Sequence, residues 1–235
     1  MNLLRENFLT AEIQNPFIGE LLKSQPLNLP RPAPITMKLA TTPEEKRQCY
    51  QLRYQAFVEE MGQLPPNANH FNKTITDARD ENSILLGAFN GQEAIATCLI
   101  NSKNLLDLPD HWLFDLEKNL KAYSGRVCVL SKLVIKSEHR GGSLTPRFCK
   151  FIFPFMLKEA VVSFIGCDEK LGSFYEKLGF QKFSEAKPVP GFGKITPFFM
   201  HNFDETHFLK KRSILLPILK KYLVENQEPK KGAHA

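Results

Sequence analysis

Residues 130–148, LSKLVIKSEHRGGSLTPRF, contain the change from strand to loop to helix on which the fold depends. The apolar run Val127–Ile135 has the length and the β-branched composition of a buried strand. A basic loop, Arg140 to Ser143, follows it, and Pro146 suits the first turn of a helix because no N–H partner is needed there. The loop is either a tight turn or a phosphate site, since glycines and a helix N-terminus present backbone N–H groups to an anion. Arg140 and Arg147 add positive charge to it.

The segments around this loop predict an α/β domain built on a mixed sheet. Thr42-Pro43 is a helix start, and apolar residues at helical spacing follow up to Gly62. Asn90-Gly91 between two apolar runs is a strong hairpin signal. The predicted strands are residues 37–42, 83–90, 93–101, 126–135, 161–168, 180–185 and 196–203, and the predicted helices are residues 44–62, 108–123, 145–160 and 169–179.

Composition and charge narrow the classes of partner. The chain has 19 phenylalanines among 235 residues and a formal net charge of +6. Phenylalanine has no polar tip, so the surplus is typical of a wide apolar core or of a tunnel for an apolar ligand. The positive charge favours anionic partners such as phosphates, an acidic carrier protein or a membrane surface. The sequence has no zinc-finger spacing, basic zipper or RNA-binding aromatic signature, so we expect no nucleic-acid partner.

The five cysteines and six histidines follow no disulfide or metal-binding pattern. The cysteines are odd in number, contain no Cys-x-x-Cys and mostly lie in apolar runs, which is typical of reduced, buried thiols in the cytoplasm. The N-terminal residues lack the apolar core of a signal peptide. We therefore expect a cytoplasmic protein without a metal.

We expect residues 37–203 to form the domain and three further parts to flank it. Residues 1–36 combine a short amphipathic helix with a proline-rich arm. Residues 204–226 predict a basic amphipathic helix that docks an acidic carrier protein, lies on a membrane surface or simply packs on the domain. Residues 227–235 predict a disordered tail.

Three segments resemble the GNAT acyltransferase superfamily, and the resemblance extends over residues 37–203. They are the strand, loop and helix of residues 130–148, the motif CDEKLGSFYEKLGF at 167–180, and RYQAFVEEMGQ at 53–63. The last segment is most similar to the acyl-homoserine-lactone synthases and N-acyl amino acid synthases of that superfamily. The resemblance implies an α/β (α+β) fold with a central mixed, mostly antiparallel sheet flanked by helices.

The resemblance implies a donor site for an acyl thioester, either acyl-CoA or an acyl group on the phosphopantetheine of an acyl carrier protein. The strand and the loop would hold the pantetheine arm and its phosphate. Ser143 and Thr145 stand at loop positions where the family usually has glycine or alanine. This departure leaves room for a carrier that presents a single phosphate. The implied donor-binding residues are Leu133, Val134, Ile135, Arg140, Gly141, Gly142, Ser143, Leu144, Thr145 and Arg147.

The resemblance also implies catalytic residues. Tyr175 matches the tyrosine that protonates the departing thiolate, although a core tyrosine with a locally satisfied hydroxyl fits the sequence too. Glu59 and Asp80 match acidic positions of the lactone-synthase subgroup, and both are also read as surface charges. Val129 stands where that subgroup has a strand glutamate, so the general base comes from elsewhere or from solvent. The implied substrate-binding residues are Arg53, Phe57, Ser131, Lys132 and Phe148.

The sequence therefore predicts an N-acyltransferase in which a primary amine attacks the thioester and releases the thiol. The resemblance and the many phenylalanines point to a medium or long fatty acyl chain, for which Phe148, Phe151, Phe155 and Phe164 form a tunnel or belong to the core. The acceptor is an amino acid, another small amine, or a lysine or ornithine side chain of a peptide. Two alternatives stay open: an acetyl-CoA-dependent acetyltransferase, and a non-catalytic module that binds an acyl carrier or ligand.

Overall fold

The structure, a computed structural model, describes residues 34–76 and 78–227. Within these ranges it contains ten strands and six α-helices. Most of the predicted N-terminal arm and C-terminal tail lies outside them. The strands are β1 Ile35–Leu39, β2 Ala68–Asn69, β3 Thr74–Ile75, β4 Ile84–Asn90, β5 Glu93–Asn101, β6 Val127–Ile135, β7 Val162–Cys167, β8 Gln181–Lys182, β9 Lys187–Val189 and β10 Gly193–His201. The helices are α1 Pro43–Tyr54, α2 Leu116–Ala122, α3 Leu144–Glu159, α4 Gly172–Leu178, α5 Glu205–Lys210 and α6 Leu216–Gln227.

The central sheet has the strand order β1-β4-β5-β6-β7-β10-β8, and β9 pairs with the first residues of β10. The pairings along this order are antiparallel except that of β6 with β7, which is parallel. β2 and β3 form a separate two-stranded ribbon. The prediction of a mixed, mostly antiparallel sheet is confirmed, and so is the hairpin at Asn90-Gly91, where Gly91 has a φ of +62°.

The start and the end of the first helix follow from its sequence. The Thr42 hydroxyl accepts a hydrogen bond from the Glu45 N–H (3.2 Å), and the Glu45 carboxylate accepts one from the Thr42 N–H (3.0 Å). This capping box stands before Pro43, the first residue of α1. Beyond α1 the helix continues as a π-helix, Gln55–Glu60, and Gly62 follows with a φ of +64° that suits glycine. A π-helical segment is rare and is often found at functional sites.

Apolar clusters cover both faces of the sheet. One lies between α1 and strands β4 and β5, and the largest joins α3, α4 and α6 to the opposite face. Because both faces are covered, eight of the nine residues of β5 are buried, among them the polar residues Thr97 and Asn101. Much of the phenylalanine surplus serves these clusters, since six phenylalanines are fully buried: Phe89, Phe114, Phe148, Phe153, Phe164 and Phe208.

A buried polar network fixes the C-terminal end of α3 against the sheet. The Asn202 side-chain amide donates to the carbonyl oxygens of Ala160 (2.9 Å) and Met156 (3.3 Å), at the end of the helix where carbonyl groups lose their helical partners. The Asn202 carbonyl oxygen accepts from the Ser163 hydroxyl (2.9 Å). Asn202 is fully buried, so the network ties α3 to β7 and to the end of β10. It thereby also sets where the N-terminal end of α3 lies.

Two predicted helices differ from the structure. Residues 108–123 form a 3-10 turn, His111–Phe114, and then the short helix α2, because Asp115 has a φ of +46° that interrupts the helix between them. Residues 204–226 form two helices, α5 and α6, rather than one. They are separated by a turn in which Arg212 has a φ of +51°.

These two C-terminal helices pack on the domain. Phe208, Leu215 and Leu219 are buried in the cluster that contains α3. The Ser213 hydroxyl donates to the Leu178 carbonyl at the end of α4 (2.6 Å). The apolar side of this segment is therefore covered by the domain itself. Across the described ranges, no helix has the length and the apolar character that crossing a bilayer requires.

We expect Gly179→Ala to destabilise the fold strongly. Gly179 ends α4 with a φ of +118°, and a Cβ atom there would lie 2.6 Å from the Phe208 ring. Strain and clash together should lower the free energy of unfolding, measured by urea denaturation, by about 3 kcal/mol or more. Gly91→Ala is the matched control, because Gly91 has a φ of +62° but open space at its Cβ position. Gly91→Ala should lower the free energy of unfolding by about 1 kcal/mol. Equal decreases for the two variants would contradict a clash with the Phe208 ring.

Candidate functional site

The candidate site begins where β6 and β7 separate. Their parallel pairing stops at Leu130 and Ile165. β6 then continues to Ile135 beside β5, and β7 continues to Cys167 beside β10. Within the described residues, the facing edges of the two strands are therefore unpaired beyond this point. Backbone N–H and C=O groups are available in the opening, which we call the cleft.

A β-bulge shapes the edge of β6 in the cleft. Thr97 pairs with Val134 and Leu99 with Ser131, so β5 advances two residues while β6 advances three. Lys132 lies in this bulge with a φ of +53°, which non-glycine residues seldom adopt. Residues 131–133 are partly exposed, whereas the first four residues of β6 are buried. The bulge therefore exposes part of β6 at the cleft.

The predicted phosphate loop lies at the N-terminal end of α3. The helix begins at Leu144, so the N–H groups of its first turn have no helical partners. Gly141 has a φ of +72° and open space at its Cβ position, which makes the backbone accessible to an anion. Leu144 is buried and Thr145 is partly exposed. The exposed residues of the loop and the first turn are Arg140, Gly141, Gly142, Ser143 and Arg147.

Arg140 is engaged in two hydrogen bonds. Its Nε donates to the Ile135 carbonyl (2.8 Å), and its Nη2 donates to the Glu60 carboxylate (2.5 Å). Glu60 is the last residue of the π-helix, so this ion pair joins the phosphate loop to the segment that follows α1. A phosphate that binds Arg140 competes with Glu60 for the guanidinium.

Tyr175 lies on α4 with its ring in an aromatic cluster. The ring centroid is 5.1 Å from that of Phe174, 5.7 Å from Phe180 and 6.4 Å from Phe198. The hydroxyl has no hydrogen-bond partner among the described residues, and it is not one of the unpaired polar atoms that are sealed from solvent. Tyr175 therefore has the packing of a core residue, but none of the described residues satisfies its hydroxyl.

Tyr175 and the thiols around it are held neutral. Burial raises the pKa of Tyr175 well above its ordinary value, and the thiols of Cys167, Cys149 and Cys98 raise it further. Burial also raises the pKa of Cys149 and Cys167 to about 12. All five cysteines are free and buried, as predicted. In the ranges 34–76 and 78–227, no three His, Cys, Asp or Glu side chains come together as metal ligands.

Three charged side chains form a buried chain beside α1. Arg53 Nη1 donates to Asp80 Oδ1 (2.7 Å), and Lys132 Nζ lies 3.8 Å from Asp80 Oδ2. The side chains of Arg53, Asp80 and Lys132 are 0%, 5% and 6% exposed. The Arg53 guanidinium also lies over the Tyr50 ring, 5.1 Å from its centroid. Two predicted substrate-binding residues and one predicted catalytic residue are thus brought together, but inside the protein.

A second polar network holds Ser131. The Asn101 side-chain amide donates to the Ser131 hydroxyl (3.3 Å) and to the Val129 carbonyl (3.3 Å), and its oxygen accepts from the Ser83 hydroxyl (2.5 Å). Asn101 is 2% exposed. Sequence reasoning missed this residue, because a single asparagine at the end of a strand belongs to no motif.

Glu59 and Phe57 make their contacts away from these networks. Glu59 is exposed and pairs with Lys73 (2.9 Å). Phe57 meets Phe192 edge to face, with 5.9 Å between the ring centroids. Phe192 stands between two glycines of positive φ at the turn from β9 to β10. The Gly-Phe-Gly sequence is too short to indicate a function by itself, so this contact was also missed.

The four phenylalanines considered for an acyl tunnel do not lie together. Phe148 stacks on Phe151 (6.2 Å between centroids), and Phe151 contacts Phe155 (5.5 Å), so these three form a row along α3. Phe164 lies on the other face of the sheet, in the cluster of Phe114. Phe164 is therefore a core residue.

The sequence matches a protein family over 154 of its 235 residues. Residues 48–201 match the family described as N-acyl amino acid synthase FeeM. No curated protein sequence matches the chain.

Several solved structures have a similar fold. FeeM, an N-acyl amino acid synthase from uncultured soil microbes, has a TM-score of 0.60 at 15% identity, over 79% of this chain and 98% of that one. The CoA-dependent acyl-homoserine lactone synthase BjaI, solved with SAM and isopentyl-CoA, has a TM-score of 0.56 at 13% identity, over 77% and 90%. ElaA of Escherichia coli has a TM-score of 0.52 at 14% identity, over 71% and 99%. At these identities the similarity is one of fold.

We expect Tyr175 to stay protonated in the folded protein at a pH where it ionises in urea. Because its pKa is higher in the folded than in the unfolded chain, its contribution to stability is complete below about pH 10 and is lost as the pH rises through the folded pKa. Tyrosinate absorbance of the wild type and of Tyr175→Phe should therefore be equal near pH 10 when both are folded. In urea the variant should lose one of the five tyrosine signals. The same loss in the folded state would contradict the raised pKa.

We expect Glu60→Gln to strengthen the binding of CoA, because the variant releases Arg140 for the donor phosphates. The dissociation constant measured by calorimetry should fall about two- to fivefold, the range expected for an exposed ion pair. Glu59→Gln removes the same charge one residue away and should leave the constant unchanged, since Glu59 pairs with Lys73. Equal effects of the two variants would mean that only overall charge matters.

Proposed function

The chain belongs to the FeeM family of N-acyl amino acid synthases and is an N-acyltransferase, and we propose that it moves a medium- or long-chain fatty acyl group from a thioester to a primary amine. The predictions of a GNAT acyltransferase and of an enzyme are confirmed. The observation that carries the proposal is the neutral, unpaired hydroxyl of Tyr175 in a fold whose β6 and β7 open into a cleft. Aminolysis of a thioester needs a proton donor for sulfur and an extended site for the donor arm.

The donor lies along the free edge of β6 in this proposal. Pantetheine contains two amide groups, which pair with strand backbone as an added strand would. The donor phosphate then reaches the loop of Arg140 to Ser143, where helix N–H groups and Arg147 favour an anion. Because Arg140 is shared with Glu60, a single phosphate suits the loop better than a pyrophosphate. This supports an acyl carrier protein as the donor, with acyl-CoA as the alternative.

The reaction forms the C–N bond of the amide and breaks the C–S bond of the thioester. The amine nitrogen attacks the carbonyl carbon, and the carbonyl oxygen gains negative charge that backbone N–H groups of the β6 bulge stabilise. The C–S bond breaks, Tyr175 gives its hydroxyl proton to sulfur, and the thiol leaves. The amine loses its proton to solvent, from which the phenolate recovers one. Solvent serves as the base because Glu59 and Asp80 are held in ion pairs with Lys73 and Arg53.

The acyl chain follows the aromatic row on α3. Phe148, Phe151 and Phe155 lead from the loop end of the helix toward a groove of about 480 Å³. Its lining is apolar at Phe155, Leu39 and Ile84 and polar at Lys158, Glu159 and Asn226. Phe151 and Phe155 are only partly buried, so a fatty chain gains apolar contact there. An acetyl group has only one methyl group to place against apolar side chains, so the row favours a fatty donor.

The acceptor in this proposal is the amine of an amino acid, as the family description suggests. A small amine or a peptide lysine or ornithine side chain is the alternative. The five free, buried thiols support a reducing compartment, which is the cytoplasm of our expectation.

The proposed function is tested by supplying palmitoyl-CoA, acetyl-CoA or palmitoyl carrier protein with a mixture of amino acids. Released thiol and the mass of the amide product are measured. The palmitoyl donors should be turned over at least about tenfold faster than the acetyl donor, since many methylene contacts distinguish them. Turnover of acetyl-CoA alone would establish the acetyltransferase instead. Retention of acyl-CoA in native mass spectrometry without thiol release would establish a binding module.

We expect Tyr175→Phe to lower kcat by about 100-fold, the contribution of a positioned general acid. Donor affinity should not change, because the hydroxyl acts on sulfur only as the C–S bond breaks. Tyr123→Phe is the control, since Tyr123 packs near His201 in a different cluster. Undiminished turnover of Tyr175→Phe would remove the proposed acid and leave the family unaffected.

A further inference from the structure

We propose that Asp80 is a positioning residue that holds the β6 bulge in shape through the Lys132 ammonium, an inference that rests on the proposed function of this edge as the thioester site. Arg53 is the buried anchor of the arrangement. The chain of charges runs from Arg53 on α1, through Asp80, to the backbone of β6. It connects the opening helix of the domain to the strand that would polarise the carbonyl group.

The backbone at Lys132 needs support of this kind. A residue with a Cβ atom is disfavoured at a φ of +53°, and it persists there only when its surroundings hold it. The pairing of β5 with β6 is also interrupted between Ser131 and Val134, so regular ladder geometry does not impose this conformation. Contacts of the Lys132 side chain hold it, and the ion pair of its ammonium group with Asp80 is one of them.

The side chain of Lys132 is buried, whereas its backbone reaches solvent. The side chain is 6% exposed, while the residue as a whole is partly exposed, so the backbone is the part that reaches solvent. The ammonium lies 3.8 Å from Asp80 Oδ2. The side chain thus faces the protein interior, and the backbone faces the cleft. A role of Lys132 in donor binding falls to its N–H group rather than to its charge.

Asp80 is held from its other side. Its Oδ1 accepts from Arg53 Nη1 at 2.7 Å, and Arg53 also lies 3.5 Å from the Ile75 carbonyl and over the Tyr50 ring. Arg53 is fully buried, so it cannot leave this position for solvent. Asp80 therefore presents its second oxygen to Lys132 in one orientation. The Asp80 side chain is 5% exposed and its two oxygens face cations, which separates this role from that of a general base.

The decisive comparison is Lys132→Gly with Lys132→Ala. Both variants remove the ammonium, but only glycine adopts the positive φ without a steric penalty. We expect kcat/KM for the acyl donor to be about threefold or more lower for Lys132→Ala than for Lys132→Gly. Thermal denaturation should rank the two variants in the same order.

Asp80→Asn keeps an oxygen for Arg53 and removes the charge that holds Lys132. It should lower kcat about tenfold or more in the wild-type background and less than about threefold in the Lys132→Gly background, because residues acting as a unit are not additive. Equal losses in Lys132→Gly and Lys132→Ala would mean that the ammonium acts directly on substrate. An undiminished effect of Asp80→Asn in the glycine background would make Asp80 a base or a substrate ligand.

The positioning role is separable from the proposed reaction. If the wild type releases no thiol from any donor, the proposed function fails, and the stabilities of the same four variants still test the inference. In that case the inference is decided by whether the losses of thermal stability caused by Asp80→Asn and Lys132→Gly are additive in the double variant. Additive effects on stability, with no difference between glycine and alanine at position 132, would overturn the positioning role.

Discussion

Two strands that start side by side and then diverge leave backbone hydrogen-bonding groups without partners along their facing edges. The candidate site is built on these edges. β6 and β7 are paired up to Leu130 and Ile165, after which each keeps its outer neighbour. The bulge at Lys132 accommodates an extra residue in β6 while the strand stays bonded to β5. The free edges suit an extended amide chain, and the helix that follows β6 adds its N-terminus at the end of the same opening.

The π-helical segment Gln55–Glu60 connects the parts that surround this opening. Glu60 reaches Arg140 in the phosphate loop, Phe57 meets Phe192 in the turn before β10, and Glu59 pairs with Lys73 in the β2–β3 ribbon. Three separate parts of the structure are thus tied to six residues. A donor that displaces Glu60 from Arg140 acts on the segment that also holds Phe57.

Buried ionisable groups differ between the two sides of the sheet: they are uncharged on one side and ion-paired on the other. Around α3 and α4, burial keeps Tyr175 and its neighbouring thiols uncharged, since a negative charge there loses its hydration. Beside α1, the buried groups are charged and arranged as alternating signs, Arg53, Asp80 and Lys132. The first environment keeps the Tyr175 hydroxyl protonated. The second suits a fixed framework, because removing Asp80 takes from Arg53 and Lys132 the carboxylate that they share.

Local patterns determined most of the fold. The capping box at Thr42, the Asn90-Gly91 turn and the apolar runs predict elements from neighbouring residues, and the motifs at 130–148 and 167–180 indicated the superfamily and Tyr175. Local patterns failed where backbone conformation opposed them, as at Asp115 and Arg212, whose positive φ angles divide predicted helices. The ion pair of Glu60 with Arg140, the contact of Lys132 with Asp80, and the contact of Phe57 with Phe192 were decided by tertiary structure alone. Arg140 and Glu60 are 80 residues apart and Arg53 and Asp80 are 27 apart, and pairs at such separations follow from how the sheet and helices pack, not from any local periodicity.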